Sequence, residues 1–591
     1  MRHTPQIQPD RALSEGSDFG FVALDSRLEP ENLQPGFVQD AWNMRFTRGR
    51  AETRPGSWQP PGFNPDGRGA FIGAGIFSDP VSGVEYLLAA EASKVWFLAD
   101  GRAPQSVPVK AGYEIDPDAG CEIVQAFSTA ILFRGAGSEP LYYTDGMDEF
   151  EPVSLSVNPS PGDYTAPIPS AEFGVAFANR LWVPNGRDSY AASDILDFTR
   201  YDPILSEYRA NEGEDDKIVA LHPFRDTTLL VFKEQSIYAL NNVVGDLSGV
   251  YSEVLTKDTG CVARRSVASV GGDVYFLAEG GIYRLSESVD SARVTQAVPV
   301  SLPIENLLER INWRQAHRAS AAVVDRFYYL AVPIDGSEAP NALLVYDAAV
   351  GAWQGVDTFG PPRQANLSRA LEGTWVWMEG PDHGGALDAT SMPDEYPEID
   401  CLRLLKTDLH GKKRLFIADR RRIIGYGVGR YDFIDGAQRG IHSGVITRAY
   451  DFGGLGTKTA RAARLHYATR AASLTVSSVT DGVNEASPLK AALVRNRLHY
   501  STFDKADWDP GNAGDDFAAP KRDDYTWIAG DGCQPQSGIS LDLHQEFFEG
   551  FPLRRRCRSA ALKVESSTGS FALLACGADA LGSGRGMRTF S

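Results

Sequence analysis

The sequence predicts an all-β protein built around a β-propeller of six or seven blades. Short apolar strands, frequent turn residues and a repeated strand pattern predict this class. The chain contains 58 glycines and 35 prolines among its 591 residues, which favours many short strands over long helices. Since single hydrophobic cores stop growing at about 250 to 300 residues, we expect more than one domain.

Residues 1–66 are predicted to form an extended N-terminal arm. The segment Leu28–Gly36 is rich in Pro, Glu and Asn and shows neither a helical nor a strand periodicity. Long structureless segments are unusual inside compact domains. We therefore expect the arm to pack against another domain or another subunit.

Residues 67–435 carry the repeated unit that predicts the propeller. Each copy combines short apolar strands, tight turns of Gly, Asp or Asn, and aromatic residues, and a later, partial copy includes Thr374–Met378. The copies recur at roughly 40 to 50 residues, which is the spacing of four-stranded blades. The two clearest copies contain the strands Ile218–Phe224, Thr228–Phe232 and Ser236–Leu240, then Ser266–Val270, Asp273–Leu277 and Gly281–Leu285.

The repeat favours a closed ring because one small sheet cannot bury both of its faces, whereas neighbouring blades cover each other. A pair of β-sandwiches is the alternative, since sandwiches share short strands and turns. A helix is predicted over Pro303–Asn312, where apolar residues recur at helical spacing. We expect this helix to be an insertion between blades.

Residues 436–591 are predicted to form a smaller C-terminal β domain. Polar stretches are longer here, and turn clusters separate strands such as Ser473–Ser478 and Ser559–Glu565. This change to longer polar stretches places the predicted domain boundary near residue 436.

The composition restricts the class of partner. The net charge is −19, from 77 acidic and 58 basic residues, so the averaged field repels phosphate and anionic lipid. Six scattered cysteines without a C-x-x-C pair predict reduced thiols. The start lacks the apolar core of a signal peptide, and no run of about 18 apolar residues occurs. We expect a soluble chain without an integral membrane segment.

Motifs for catalysis are missing from the sequence. It contains no P-loop, G-x-S-x-G, H-E-x-x-H or EF-hand loop, and its nine histidines are spread singly. Some propellers are glycosidases, but the repeated aspartate turn of sialidase propellers does not occur. We therefore predict a protein that is not an enzyme and that uses no cofactor or metal.

Clustered arginines are the candidate site residues. They can grip acidic surfaces of a partner subunit through bidentate pairs, or they can be solvated strand ends that offset an acidic protein. The smaller pair is Arg264 and Arg265. The two triplets that we predict as subunit-interface clusters are Arg420, Arg421 and Arg422, and Arg554, Arg555 and Arg556.

Several phrases resemble a known family of virion proteins. Residues 20–290 resemble the tail nozzle proteins of short-tailed bacteriophages, and the nearest family is tail tubular protein B. The phrases that carry the resemblance are Leu33-Gln-Pro-Gly36, Arg54-Pro-Gly56, Asn179-Arg-Leu-Trp-Val183, Ser193-Asp-Ile-Leu-Asp-Phe-Thr199, Ile218–Lys233, Gly260–Ser266 and Gly280-Gly-Ile-Tyr283.

The resemblance implies a structural subunit of the virion tail, assembled in the cytoplasm of the host bacterium. Six copies would form a ring below the adaptor protein, continue the DNA channel, support tail fibres, and gate retention and ejection of the genome. Viral double-stranded DNA would pass through the lumen without specific binding. One alternative is a receptor-binding or fibre-docking propeller of the virion, and another is a propeller hydrolase that degrades the cell envelope.

Overall fold

Two compact units make up the chain, and each is described by itself. The propeller unit contains residues 58–353 and 397–427, and the terminal unit contains the remainder. The predicted strand Thr374–Met378 lies outside the described residues. The computed structural model describes residues 13–153, 166–211, 216–288, 293–359, 399–452, 456–469, 474–481, 487–490, 545–566 and 570–582.

Seven sets of four hydrogen-bonded strands lie in or at the edge of the propeller unit, and we call them blades 1 to 7 in chain order, so the prediction of a β-propeller is confirmed. Blades 1 to 5 are separate antiparallel sheets, whereas blades 6 and 7 are parts of larger sheets. A two-stranded ribbon, Ala166–Pro167 with Arg200–Tyr201, accompanies blade 3. Blade 1 consists of Gly73–Ser78, Glu85–Ala90, Lys94–Leu98 and Gln105–Pro108. Blade 2 consists of Glu122–Ala126, Thr129–Phe133, Leu141–Thr144 and Glu151–Pro152. Blade 3 consists of Val175–Phe177, Arg180–Pro184, Ser189–Ala192 and Glu207–Arg209. Blades 4 and 5 are Ile218–Phe224, Thr228–Lys233, Ile237–Asn241 and Tyr251–Thr256; and Ala268–Val270, Asp273–Ala278, Gly281–Ser288 and Arg293–Pro299. Blade 6 is Ser320–Val324, Phe327–Val332, Ala342–Asp347 and Ala352–Asp357, and blade 7 is Cys401–Leu409, Lys412–Asp419, Ile423–Tyr426 and Ser57–Trp58.

Continuous apolar runs form the middle strands because both faces of a blade are covered. In blade 1, Leu88 and Ala90 pack towards blade 2, whereas Leu87 and Ala89 pack towards blade 7. Successive residues of a strand point to opposite faces, so a strand between two neighbours needs apolar residues at every position. The hydrophobic core of the propeller unit is therefore a set of layers between adjacent blades.

The ring closes at blade 7, which takes its fourth strand from the N-terminal side of the propeller. The first strand of blade 1 contacts the first strands of blades 2 and 7. Phe63 stacks on Phe416 of blade 7, with ring centroids 4.8 Å apart. Asn64 exchanges hydrogen bonds with the main chain of Ile423, at 3.0 Å and 2.9 Å. The two ends of the propeller sequence are thus interlocked.

Short helical turns connect some of the blades. The predicted helix over Pro303–Asn312 is confirmed between blades 5 and 6 but is shorter, since it consists of the 3-10 turn Leu302–Ile304 followed by the α-helix Glu305–Leu308. Two more 3-10 turns precede blades 5 and 6, at Arg264–Ser266 and Trp313–Arg318.

The terminal unit brings residues from both ends of the chain into shared sheets, so residues 13–57 form strands rather than a structureless arm. It groups these residues with 428–582, which differs from the predicted separation of 1–66 from 436–591. One sheet orders Met44–Thr47, Arg50–Thr53, Phe571–Gly582, Lys458–Thr469 and Gln545–Cys557, and Leu13–Asp18 also pairs with Phe571–Gly582. The second set of strands is Ala23–Leu24, Phe37–Trp42, Ser443–Thr447, Ala560–Ser566, Thr475–Thr480 and Ser487–Lys490, and a further hairpin is Tyr431–Ile434 with Ala437–Gly440.

A buried arginine organises the interior of the terminal unit. Arg54 donates two hydrogen bonds to the carboxylate of Asp432, at 3.0 Å and 2.8 Å, and a third to the side-chain oxygen of Asn43 at 2.7 Å. Two residues later, a Cβ atom on Gly56 would lie only 2.0 Å from the carbonyl oxygen of Tyr431. The phrase Arg54-Pro-Gly56 therefore has a structural reason, because its arginine fills a polar core and its glycine permits a close backbone approach.

Candidate functional site

Four charged side chains meet where the first strands of the blades begin. Glu122 opens the first strand of blade 2 and is buried. Arg265, from the turn before blade 5, donates a hydrogen bond from its Nε to Glu122 Oε2 at 2.7 Å. Arg264 Nη2 lies 3.4 Å from the same oxygen, and Arg403 of blade 7 forms an ion pair with Oε1. We call these four residues the axial cluster.

Arg265 ties together blades that are distant in the ring. Its Nη2 donates to the carbonyl oxygen of Cys121 at 2.9 Å, and its Nη1 donates to the carbonyl oxygen of Leu402 at 3.1 Å. Cys121 immediately precedes blade 2 and Leu402 lies in blade 7, which are three and two positions from blade 5 around a ring of seven. The guanidinium of Arg265 therefore spans the axis of the propeller at this depth.

The 3-10 turn Arg264–Ser266 is held rigidly from two sides. The hydroxyl of Ser266 donates to the carbonyl oxygen of Ala263 at 2.7 Å and accepts from the Leu277 amide at 3.0 Å. Tyr328 of blade 6 donates its hydroxyl to the carbonyl oxygen of Ser266 at 2.8 Å. Arg264 also lies over the ring of Phe173, 4.6 Å from its centroid. The backbone that carries both arginines is therefore held in place by these contacts.

The axial cluster carries more positive than negative charge. Three arginines face one carboxylate, and the next acidic group, Glu172, lies 3.6 Å from Arg264 but also 3.8 Å from Lys217. Burial lowers the pKa of Arg264, and the neighbouring Arg265 adds to that effect. Burial also lowers the pKa of Arg265 and of Arg403. Each shift reflects the cost of holding a cation where water solvates it only in part.

The predicted triplet Arg420, Arg421 and Arg422 does not act as one surface patch. Arg422 is 3% exposed and lies 3.0 Å from Asp419, so its guanidinium is buried in blade 7. Arg420 pairs with Asp400 at 2.9 Å but is exposed, as is Arg421. A partner could therefore reach Arg420 and Arg421, but not Arg422.

The second triplet, Arg554 to Arg556, lies on the long strand Gln545–Cys557 of the terminal unit. All three side chains are exposed. Arg554 has a positive φ of 46°, and the register with Lys458–Thr469 shifts at this point, which marks a β-bulge. Their role at a subunit interface stays a prediction.

An exposed aliphatic loop stands out on blade 3. Residues 193–206 connect its third and fourth strands, and this loop exposes Ile195, Leu196, Ile204 and Leu205, the last two at 74%. Asp202 Oδ1 accepts hydrogen bonds from the amides of Ile204 and Leu205, at 2.8 Å and 3.1 Å, and fixes the turn that presents them. We call this segment the blade 3 loop. It contains the phrase Ser193–Thr199 that supported the resemblance.

Sequence reasoning identified only part of the axial cluster. The sequence shows Arg264 and Arg265 as a basic pair, but Glu122 and Arg403 are separated from them by more than a hundred residues, and no local pattern joins them. The available signal was a charged residue within an otherwise apolar strand, as in Glu122-Ile-Val and Cys401-Leu-Arg-Leu. Such a residue faces either solvent or a buried partner of opposite charge.

In the part of the chain that the structure describes, no group of three or more His, Cys, Asp or Glu side chains is placed to hold a metal ion. No helix of those residues is long and apolar enough to cross a membrane. Five of the six cysteines are buried free thiols, and Cys533 lies outside the described residues.

No protein-family model matches the sequence, and no curated protein matches it. Among solved structures, BamB from Moraxella catarrhalis is similar at 11% identity, over 63% of this chain and 96% of that chain, with a TM-score of 0.33. YCF48 from Cyanidioschyzon merolae is similar at 10% identity, over 60% and 96%, with a TM-score of 0.33. BBS1N in complex with ARL6DN is similar at 9% identity, over 63% and 96%, with a TM-score of 0.34. Such values carry no argument about function, so the fold assignment rests on the seven blades of the chain itself.

Proposed function

We propose that this protein is a structural, non-enzymatic subunit of a short-tailed bacteriophage tail nozzle. A ring of copies, six by the resemblance, docks below the adaptor, continues the DNA channel and supports tail fibres. The ring retains the genome and then releases it.

The observation that carries the assembly role is the blade 3 loop. Four large aliphatic side chains close together in sequence are solvent-exposed there, held outward by aspartate-capped turns. Large exposed apolar side chains gathered in one loop are typical of a site of interaction with another protein. This feature favours a protein that works by assembling over one that works by catalysis.

The axial cluster argues against a path for DNA through the axis of a single propeller. Arg265 spans the axis from blade 5 to main-chain oxygens of Cys121 and Leu402, so side chains cross the centre of the propeller. A double helix therefore needs a lumen between copies of the chain rather than the axis of one propeller. A net charge of −19 suits such a lumen, because an acidic wall does not hold phosphates.

The resemblance over residues 20–290 supports the nozzle as the virion assembly. Electron microscopy of the purified chain, alone and mixed with the candidate adaptor from the same genome, tests this choice. We expect rings with an axial hole that dock onto the adaptor. Dispersed single particles that ignore the adaptor would instead favour the receptor-binding alternative.

A paired substitution tests the blade 3 loop. We expect Ile204→Asp with Leu205→Asp to abolish ring formation while leaving the fold intact, because both side chains are already in solvent. Val81→Asp is the matched control, since Val81 is 84% exposed in blade 1. Virions that carry the paired substitution should fail to retain or eject DNA. Rings and infectivity equal to those of the control would contradict the assigned surface.

A further inference from the structure

We propose that Arg264, Arg265 and Arg403 form a binding site for a small oxyanion, a carboxylate or a phosphate, at the axial end of the propeller. Glu122 is the counter-ion built into this site. The inference concerns the propeller of a single copy and goes beyond the nozzle role, because it does not depend on ring assembly.

The arginines converge on one carboxylate from separate blades, which indicates that the fold positions them as a site. The arginines come from the turn before blade 5 and from the first strand of blade 7, and all reach the carboxylate of blade 2. Their side chains are 26%, 20% and 24% exposed, whereas that of Glu122 is 6% exposed. Water therefore reaches the cationic side of the cluster, and a small ion can approach it from there.

The charge balance leaves positive charge for a ligand to neutralise. Three guanidinium groups face one carboxylate, and Glu172 divides its contacts between Arg264 and Lys217. Such an excess is unexpected inside a protein whose net charge is −19. Buried charges are normally paired, so a second anion would complete the cluster.

The number of arginine N–H donors without a partner also supports an anionic ligand. Between them, the three arginines make six polar contacts, although each guanidinium carries five N–H donors. The Nε of Arg264 is buried and has no hydrogen-bond partner within the described ranges. Planar guanidinium groups bind carboxylate and phosphate through paired N–H donors, which makes an oxyanion the fitting ligand class.

Binding of inorganic phosphate and of succinate to the full chain tests the proposal, at ionic strength held constant with sodium chloride. We expect saturable binding by calorimetry and a rise in melting temperature with at least one of the two. Phosphate alone would identify a phosphate site, and succinate alone would identify a site for carboxylates such as an acidic side chain of a partner. No saturable binding of either anion would overturn the proposal.

Two substitutions with opposite expected effects separate binding from a purely structural role. Arg264→Gln should weaken anion binding by about tenfold or more, because it removes charge-assisted donors. Glu122→Gln should strengthen it by a similar factor, because it removes the internal competitor. Arg326→Gln is the matched control, since Arg326 pairs with Asp347 at 2.9 Å elsewhere in the propeller, and it should leave the affinity unchanged.

A cluster that only holds blades together predicts a different pattern. Both axial variants would then lower the melting temperature, and neither would change the anion affinity relative to the control. If Glu122→Gln does not fold, the comparison of Arg264→Gln with Arg326→Gln still decides, because Arg264 is partly exposed. Equal affinities of these two variants would contradict the site.

Discussion

Arg54 shows how one side chain can fix the interior of the terminal unit. Its guanidinium is fully buried and forms a bidentate pair with Asp432. We expect Arg54→Met to lower the free energy of unfolding by about 3–5 kcal/mol, because it leaves a buried carboxylate without its cation. Denaturant unfolding measures the effect. Arg48→Met, at an exposed turn of the same unit, should lower the free energy of unfolding by less than about 0.5 kcal/mol. Equal losses in the two variants would show that the Arg54–Asp432 pair does not stabilise the unit.

Asp419 predicts a pH dependence of the propeller. It is buried, and burial raises the pKa of its carboxyl to about 6, with Arg422 opposing the shift. The folded protein therefore keeps a proton that the unfolded chain releases above its ordinary pKa of 3.8. This contribution to stability is fully present below about pH 4 and is lost as the pH rises through about 6.

The variant Asp419→Asn cannot titrate at this position, so it provides the reference. We expect the free energy of unfolding of the wild type, relative to that of the variant, to fall by on the order of 3 kcal/mol between about pH 4 and pH 7. Urea unfolding at several pH values measures this difference. A difference that does not change with pH would mean that the Asp419 carboxyl titrates normally in the fold.

Single residues also mark the limit of what the sequence could predict about the candidate site. The arginine-rich segments are visible in the sequence, but whether an arginine is buried depends on a partner elsewhere in the chain. Arg422 is buried beside Asp419, while its neighbour Arg421 is exposed. Glu122 and Arg403 meet only once the ring has closed, so local patterns do not identify the axial cluster.

At the scale of elements, the strands with apolar faces on both sides were predictable. The predicted strand Ile218–Phe224 coincides with the first strand of blade 4, and Thr228–Phe232 differs from the second strand by one residue. The fourth strand of that blade, Tyr251–Thr256, was missed. Its side chains are partly or fully exposed, so its sequence lacks the apolar run that identifies inner strands.

The long strand Gln545–Cys557 ends its sheet as far as the described strands extend. It combines Pro552, a bulge at Arg554 and three exposed arginines, which are devices that keep a sheet edge from pairing with another chain. We expect replacement of Arg554, Arg555 and Arg556 by Thr to cause aggregation, measured by light scattering. Arg558→Thr, just beyond the strand, should have no such effect.

The same triple variant tests the predicted interface role of this cluster. If the arginines grip a partner subunit, the variant should stay monodisperse and lose binding to other copies or to the adaptor. Aggregation with binding retained would assign the arginines to edge protection alone.

At the scale of the whole molecule, the propeller depends on its closure at blade 7. Phe63 is buried against Phe416, so Phe63→Ala removes a large contact at the point where the ring is joined. We expect a loss of about 3–5 kcal/mol in the free energy of unfolding. Tyr251→Ala, at a 58% exposed position, should change it by less than about 0.5 kcal/mol. Similar losses in both variants would show that this contact does not hold the ring closed.

The sequence predicted the propeller but not the terminal unit as one body. A sequence repeat predicts a propeller because every blade has the same local pattern of strands and turns. The terminal unit has no repeat, and its sheets join residues such as Glu52 and Ala572, which are hundreds of positions apart. Register between such strands is set by packing of the finished fold, and a single sequence contains no local signal for it.

The joining of both chain ends in the terminal unit has a consequence for how the protein is made. Thr53 donates a hydrogen bond to the carbonyl oxygen of Phe571, 518 residues later in the chain. At a synthesis rate of about 5–20 residues per second, the first strands leave the ribosome about 25 to 100 seconds before their partners. The propeller sequence emerges within this interval, so these sheets of the terminal unit can form only after the whole propeller sequence has been made.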